Sequence, residues 1–181
     1  MKIKGLSTVI LCLTGTMVFA QNGAEFDDLT NQPDGRKSRI LLERAEQNRN
    51  TYPTLAREQI AEAIFISQGS TDYETFVNAL IIKLKLLCAA DSIDEAENQL
   101  KTVEKAAKRS GSKDLQARAT LAQADILVAE NKLDKAAEIY TKLVADYSKS
   151  DFCDIAITAA NQLGYIYREK SMAEQSQKSF L

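Results

Sequence analysis

The chain's capacity for acid–base chemistry is narrow, because its 181 residues contain no histidine. That absence excludes Ser-His and Cys-His nucleophile pairs, and it excludes every metal site that needs an imidazole ligand. Asp91, Asp94 and Glu95 could still form a pair of general acid and general base. They lie where a helix is predicted to begin, however, and negative charge in a first turn stabilises the helix dipole. We therefore interpret these carboxylates as structural.

One basic cluster could bind a ligand. Lys105, Lys108, Arg109 and Lys113 could attract a phosphate or an acidic partner. The cluster also falls at a predicted helix C-terminus, where the dipole favours cations, and we prefer that structural interpretation. The 7 glycines are scattered singly and form no phosphate-binding loop. The sequence predicts no catalytic residue, no metal site and no cofactor, so we expect a protein that is not an enzyme.

The composition favours helices as the elements that position any binding residues. Hydrophobic residues make up 45% and charged residues 27% of the chain, which is the balance of a folded domain. Only 7 Gly and 2 Pro accompany many strong helix formers such as Ala, Leu, Lys and Glu. We predict an all-α fold.

Residues 1 to 20 have the pattern of a secretory signal peptide. MKIKGLSTVILCLTGTMVFA begins with two lysines, continues as an apolar run and ends on small residues where a signal peptidase reads. A membrane anchor is the alternative, but the run is shorter than the roughly 20 apolar residues of a span. Cleavage removes two lysines and no acid, which lowers the net charge from −2 to −4. We expect an exported protein, periplasmic or otherwise extracytoplasmic, with no general attraction to nucleic acid.

Two segments beyond the leader carry further expectations. Residues 21 to 37 have few apolar side chains and a Pro-Asp-Gly turn, so we predict a linker there, with helical periodicity beginning at Ser38. Cys88 and Cys153 lie in apolar stretches, where free Cys behaves as a small hydrophobic residue. We expect buried free thiols, although an exported protein could also keep a disulfide.

Three later segments align with one another at a spacing of 40 residues. They are DSIDEAENQLKTV from Asp91, NKLDKAAEIYTKL from Asn131 and SMAEQSQKSFL from Ser171. Each begins on a residue that favours a helix N-cap, so we predict a new helix at each start. Thr71 and Glu74 have the spacing of a capping box before an earlier helix. Because both apolar and helix-breaking positions repeat, the pattern is typical of a helical-hairpin array.

Matching positions in these segments pair a small residue with a large one four residues later. The small residues are Ala96, Ala136 and Ser176, and the large ones are Leu100, Tyr140 and Phe180. A small residue permits two antiparallel helices to cross closely, and the large residue fills the neighbouring gap. The preceding helices supply small residues at Ala124 and Gly164, whereas Leu84 departs from that pattern.

These residues resemble the tetratricopeptide repeat (TPR), whose hallmark is Leu-Gly-x-x-Tyr in its first helix and Ala-x-x-x-Phe in its second. The stretches Leu163 to Tyr167 and Ala136 to Tyr140 are similar to those motifs. The chain departs from the family in having no Trp and no Pro that ends a repeat. Its 40-residue unit is also longer than the usual unit of about 34 residues.

The resemblance implies a right-handed superhelical array of antiparallel helix hairpins, a TPR-like α-solenoid of about three and a half hairpins. It covers about residues 77 to 181, with a degenerate unit further upstream. The predicted repeat domain spans residues 38 to 181, with units at 38 to 67, 71 to 110, 113 to 148 and an incomplete 151 to 181. Because the last unit holds only half of its second helix, we expect the chain to be an amino-terminal fragment.

The family similarity also implies that the first helix of each hairpin lines a concave groove. In this register the groove residues are Asn78, Lys85, Arg118, Asp125, Asn161, Tyr165 and Arg168. An ordinary solvated helix face is the alternative interpretation of each one. Tyr165 and Arg168 are the strongest candidates, because Tyr and Arg are favoured anchors at interfaces.

The expected function is that of a non-catalytic scaffold that binds a protein or an extended peptide in this groove. The repeat domain should contact neither nucleic acid nor the membrane directly. One alternative is the extracytoplasmic sensor segment of a membrane signalling protein, whose histidine-kinase or helix-turn-helix output module would lie beyond residue 181. A weaker alternative is an enzyme whose site lies in the groove.

Overall fold

The computed structural model describes Leu29 and residues 32 to 179, with side chains as far as Ser171. The proposed leader, most of the predicted linker, and the side chains of Ser176 and Phe180 lie outside this described part. Over the described residues the chain forms seven α-helices and no strand, so the all-α prediction is confirmed.

Each helix packs against the next one along the chain. The helices are α1 (Asp34–Asn48), α2 (Pro53–Gln68), α3 (Tyr73–Ala89), α4 (Ile93–Ser110), α5 (Lys113–Ala129), α6 (Leu133–Tyr147) and α7 (Cys153–Ser179). The odd-numbered helices also pack on one another, α1 on α3, α3 on α5 and α5 on α7. The even-numbered helices make no comparable contacts among themselves within the described residues.

The helices recur at a spacing of 40 residues. α2, α4 and α6 begin at residues 53, 93 and 133, and α3, α5 and α7 begin at residues 73, 113 and 153. An acidic residue lies in the first turn of every odd-numbered helix, where it stabilises the dipole: these residues are Asp34, Glu74, Asp114 and Asp154. The described chain is therefore an all-α fold whose helices are spaced as in a helical repeat.

The turn from α3 into α4, and from α5 into α6, contains a left-handed residue. Asp91 has a φ of 58°, and the amide of Ser92 donates to the Leu87 carbonyl at 2.9 Å. Asn131, forty residues later, has a φ of 60° and the corresponding bond of 2.8 Å. This pattern closes the end of a helix. The prediction that Asp91 and Asn131 are N-caps is wrong, because each residue ends the preceding helix instead.

The turn from each even-numbered helix into the next odd-numbered one contains a serine. Ser70, Ser110 and Ser150 each donate their hydroxyl to the carbonyl three residues earlier, at 3.0, 2.6 and 2.9 Å. Each hydroxyl oxygen also accepts the amide N–H two residues ahead, at 3.1 Å in every case. The same side chain thus satisfies backbone groups on both sides of the turn, three times at a 40-residue spacing.

Two helix boundaries differ from those expected. α1 begins at Asp34 rather than Ser38, and Leu29, inside the predicted linker, is buried against Leu41. α7 continues through Ser171 to Ser179, so the helix start predicted at Ser171 is wrong. The equivalent turns need a residue that tolerates left-handed backbone, which Asp and Asn do and Ser rarely does.

The packing roles predicted for small residues are confirmed in part. Ala96, Ala124 and Ala136 are each 0% exposed, as is the large residue Tyr140. The close-packing role predicted for Gly164 is wrong, because a Cβ added there would meet no atom within 4 Å. No helix within the described residues covers that side of α7.

The two cysteines also differ from expectation. Both are free thiols, as predicted, but Cys88 is only partly buried and Cys153 is exposed. Cys153 is the first residue of α7, and the core contact of that turn comes from Ile155, which is buried two residues later. The apolar character of its sequence neighbours therefore did not place this thiol in the core.

Candidate functional site

The predicted groove residues all lie on odd-numbered helices. They are Asn78 and Lys85 on α3, Arg118 and Asp125 on α5, and Asn161, Tyr165 and Arg168 on α7. Those on α3 and α5 are partly buried, and those on α7 are exposed. The candidate site thus has two parts, an enclosed charged part on α3 and α5 and an open part on α7.

Asp125 forms the centre of the enclosed part. Its Oδ1 accepts a hydrogen bond of 2.6 Å from Tyr140 Oη, which joins α5 to α6. Burial raises the pKa of Asp125, although the Tyr140 hydroxyl and the positive charge of Lys85 oppose the rise. Burial and the Asp125 carboxylate also raise the pKa of Tyr140, so that hydroxyl remains a donor at neutral pH. Asp125 is therefore an internally engaged acceptor.

Cys88, on α3, also lies within the electrostatic influence of Asp125. Burial and the Asp125 charge raise the pKa of the Cys88 thiol. Because the thiolate is the nucleophilic form, a raised pKa leaves this cysteine poorly reactive at neutral pH. Tyr140 and Cys88 were not among the predicted site residues. The 40-residue pattern predicted only a packing role for Tyr140, as one of the large residues.

Arg118 joins α5 to α7. Its Nε donates to Asp114 Oδ2 at 3.0 Å, and one Nη donates to Asp154 Oδ2 at 2.7 Å. Burial alone would lower the pKa of Arg118, but the two carboxylates raise it and keep the guanidinium charged. Neither partner is predicted by the family register. The i,i+4 spacing of Asp114 and Arg118 was a usable signal in the sequence.

A similar charged contact joins α1 to α3. Arg39 donates from Nε and one Nη to Asp72 Oδ2, at 3.3 Å each. Asp72 Oδ1 also accepts the amide N–H of Thr75 at 3.1 Å and so caps α3, which means that the N-cap predicted at Thr71 is wrong. Burial alone would raise the pKa of Asp72, but the hydrogen bonds from Thr75 and the Arg39 charge lower it. Charged contacts therefore connect α1 to the start of α3, and α5 to α7.

The open part of the site centres on Tyr165, which is 43% exposed. The guanidinium carbon of Arg168 lies 5.4 Å from the centroid of the Tyr165 ring, within the range of a cation–π contact. Tyr165 also lines a cleft of about 470 Å³ between the middle of α7 and the turn at Asn131. Lys170 and Asp134 form an ion pair at the same cleft and connect α7 to α6.

Asn78 and Asn161 are the two remaining predicted residues. Asn78 is partly buried on α3, and Asn161 is exposed on α7, one turn before Tyr165. Asn161, Tyr165 and Arg168 recur at spacings of four and three residues, so they share one exposed face of α7. The structure therefore brings the three α7 residues together and leaves Asn78 apart from them.

Neither a metal site nor a membrane span occurs in the part of the chain that the structure describes. No three Cys, Asp or Glu side chains there are grouped so that they could hold a metal ion. Every helix in those residues falls short of the length and apolarity that crossing a membrane requires. Comparison with protein-family models, with curated proteins and with solved structures finds no match to this chain.

Proposed function

We propose that the chain is a non-catalytic binding protein whose odd-numbered helices form a concave face for an extended peptide or protein segment. The 40-residue recurrence of packed helices supports an array of hairpins. Contacts among odd-numbered helices, without comparable contacts among the even-numbered ones, support an array that curves with the odd-numbered helices on its inner side. A right-handed, TPR-like α-solenoid has this arrangement.

The Tyr165–Arg168 pair is the observation that carries the proposal. Both side chains are exposed on α7, and stacking on the ring restrains the Arg168 guanidinium. Restraint before binding reduces the entropy lost when a partner arrives. The ring offers apolar area, while the guanidinium can donate to a carboxylate or to backbone carbonyls of a peptide.

The enclosed residues have a supporting role in this proposal. Asp125 is occupied by Tyr140, and Arg118 is occupied by Asp114 and Asp154. These bonds hold α5 against α6 and α7, which fixes the relative positions of neighbouring hairpins. We assign direct partner contact to Asn161, Tyr165 and Arg168. The signal-peptide pattern of residues 1 to 20 supports an extracytoplasmic location for that contact.

Selection of a displayed library of random linear peptides against the chain tests the proposal. Enriched peptides should bind the wild type and should lose at least about tenfold in affinity, about 1.4 kcal/mol, for Tyr165→Ala combined with Arg168→Ala. Phe65→Ala is the matched control, because Phe65 is an aromatic residue on α2 that is 81% exposed and lies outside the odd-numbered helices. Peptides that bind the double variant as well as the wild type would exclude this face as the binding site.

A further inference from the structure

One face of α7 carries apolar and small residues that no helix covers within the described residues. Ile157 is 59% exposed and Tyr167 is 57% exposed. Ala160 is exposed between them, and the space around Gly164 is open. We call these four residues the α7 stripe. Their spacings of three, four and three residues place them on one face of the helix.

The positions equivalent to the α7 stripe are buried in the two preceding hairpins. Ala117 and Ala124 of α5, forty residues before Ile157 and Gly164, are 3% and 0% exposed. They lie in one core cluster with residues of α6, including Tyr140. Val77 and Leu84 of α3 are likewise 0% exposed and share a cluster with residues of α4. In each hairpin these positions are covered by the next helix, which follows a tight turn and runs antiparallel to the first helix.

We propose that the α7 stripe is covered by α7 of a second copy of this chain, packed antiparallel about a two-fold axis. The order of the stripe is palindromic, large, small, small and large, about residue 162. In this register Ile157 meets the partner's Tyr167, and Ala160 meets the partner's Gly164. The small residues lie at the centre, where they permit the close approach that Ala96 and Ala136 permit inside the hairpins.

The charges beside the stripe favour the same antiparallel register. Asp154 lies in the first turn of α7, and Arg168 lies almost four turns later. A two-fold axis perpendicular to the helix leaves equivalent residues of the two copies on the same side of the helix pair. Arg168 of one copy therefore lies near the partner's Asp154. Their side chains are 66% and 58% exposed, so both remain accessible despite their contacts within the chain.

This inference goes beyond the proposed function and does not depend on peptide binding. The dimer itself would form without any peptide.

Sedimentation equilibrium of the chain, without peptide, measures the mass. The wild type should approach twice the mass of the monomer as its concentration rises. Gly164→Gln should raise the dimer dissociation constant by at least about tenfold, and it should keep the helix content, since an added Cβ meets nothing within 4 Å. Ile157→Gln gives a second, independent disruption. Phe65→Gln removes an even more exposed apolar side chain on α2 and should leave the dimer intact. A monomer at every concentration, or a dimer that both stripe variants leave unchanged, would overturn the proposal.

Disulfide cross-linking tests the register in a background whose native cysteines are replaced by serine. Chains with Ala160→Cys should cross-link to chains with Gly164→Cys when the two are mixed, and each should cross-link far less with itself. Self-cross-linking of each variant without mixed product would indicate a parallel pair and would overturn the antiparallel arrangement. If the stripe is instead covered within the same chain or stays open, the chain remains monomeric and no intermolecular product forms, which would also overturn the proposal.

Discussion

Tyr140 Oη donates a hydrogen bond of 2.6 Å to Asp125 Oδ1, and this bond connects the completely buried ring on α6 to a carboxylate on α5. The large residue of a hairpin thus fills space and also satisfies an internal acceptor. Buried polar groups need such partners, because an unsatisfied acceptor keeps the full cost of its desolvation. Four consequences of the observed contacts can be measured.

Removal of the Tyr140 hydroxyl should destabilise the chain. Tyr140→Phe leaves the Asp125 carboxylate without its donor, and we expect the free energy of unfolding to fall by about 1.5–3 kcal/mol. Urea denaturation followed by circular dichroism measures this change. In an Asp125→Asn background the same substitution should cost less, because an unpaired neutral amide is desolvated more cheaply than a carboxylate. Equal costs in the two backgrounds would show that the charge of the Asp125 carboxylate does not strengthen the bond.

The protonation of Asp125 should make stability depend on pH. Burial raises its pKa above the ordinary value of 3.8, so the native state keeps this proton to a higher pH than the unfolded chain does. The resulting stabilisation is fully present below pH 3.8 and is lost as pH rises through the folded-state pKa. Relative to Asp125→Asn, the wild type should therefore lose stability as the pH rises above 3.8. Urea denaturation at a series of pH values measures the difference, and the exposed Glu138→Gln should not reproduce it.

The left-handed backbone at Asp91 should reverse the usual order of Gly and Ala in helical proteins. At this position Asp91→Gly should be more stable than Asp91→Ala by about 1 kcal/mol, because Ala pays the steric cost of a positive φ. The matched control is Thr102, an exposed position within α4, where the Gly variant should be less stable than the Ala variant by about 1 kcal/mol. Thermal or urea unfolding of the four variants decides the matter. If the Ala variant is the more stable one at both positions, the left-handed backbone at Asp91 would be contradicted.

Asp72 should contribute more through its cap than through its ion pair. Asp72→Ala should cost about 1 kcal/mol because α3 loses its N-cap. Arg39→Ala should cost less, because Arg39 is exposed and surface ion pairs contribute little. The pKa of Asp72 is lowered from 3.8, so its stabilisation is present above that pH and is lost as the pH falls through the folded-state value. A larger loss for Arg39→Ala than for Asp72→Ala would mean that the link between α1 and α3 outweighs the cap.

Much of the fold follows from local patterns in the sequence. Helix-forming composition and apolar periodicity predict helices throughout, and the buried Ala96 and Ala136 agree with their predicted packing role. The turns were harder to assign, because Asp and Asn favour both an N-cap and a left-handed helix end. Only the hydrogen bond from Ser92 to Leu87 shows that Asp91 belongs to the helix before it.

The candidate site was predictable only as a set of positions. The register placed Asp125 and Arg118 on one helix, but their partners Tyr140 and Asp154 lie 15 and 36 residues further along the chain. Whether a polar side chain can meet a ligand depends on such distant partners. The α7 candidates Asn161, Tyr165 and Arg168 stay accessible because no later helix packs over α7 within the described residues.

The sequence by itself determined that the chain is all-α, that its helices recur every 40 residues, and that chemistry based on histidine is absent. These properties depend on composition and on patterns within single helices. The tertiary structure decided that Asp125 and Arg118 are engaged, that Asp91 and Asn131 end helices, and that the face of α7 around Gly164 is open. Those properties depend on which helix packs over each face, and helix packing brings together residues that no local pattern relates.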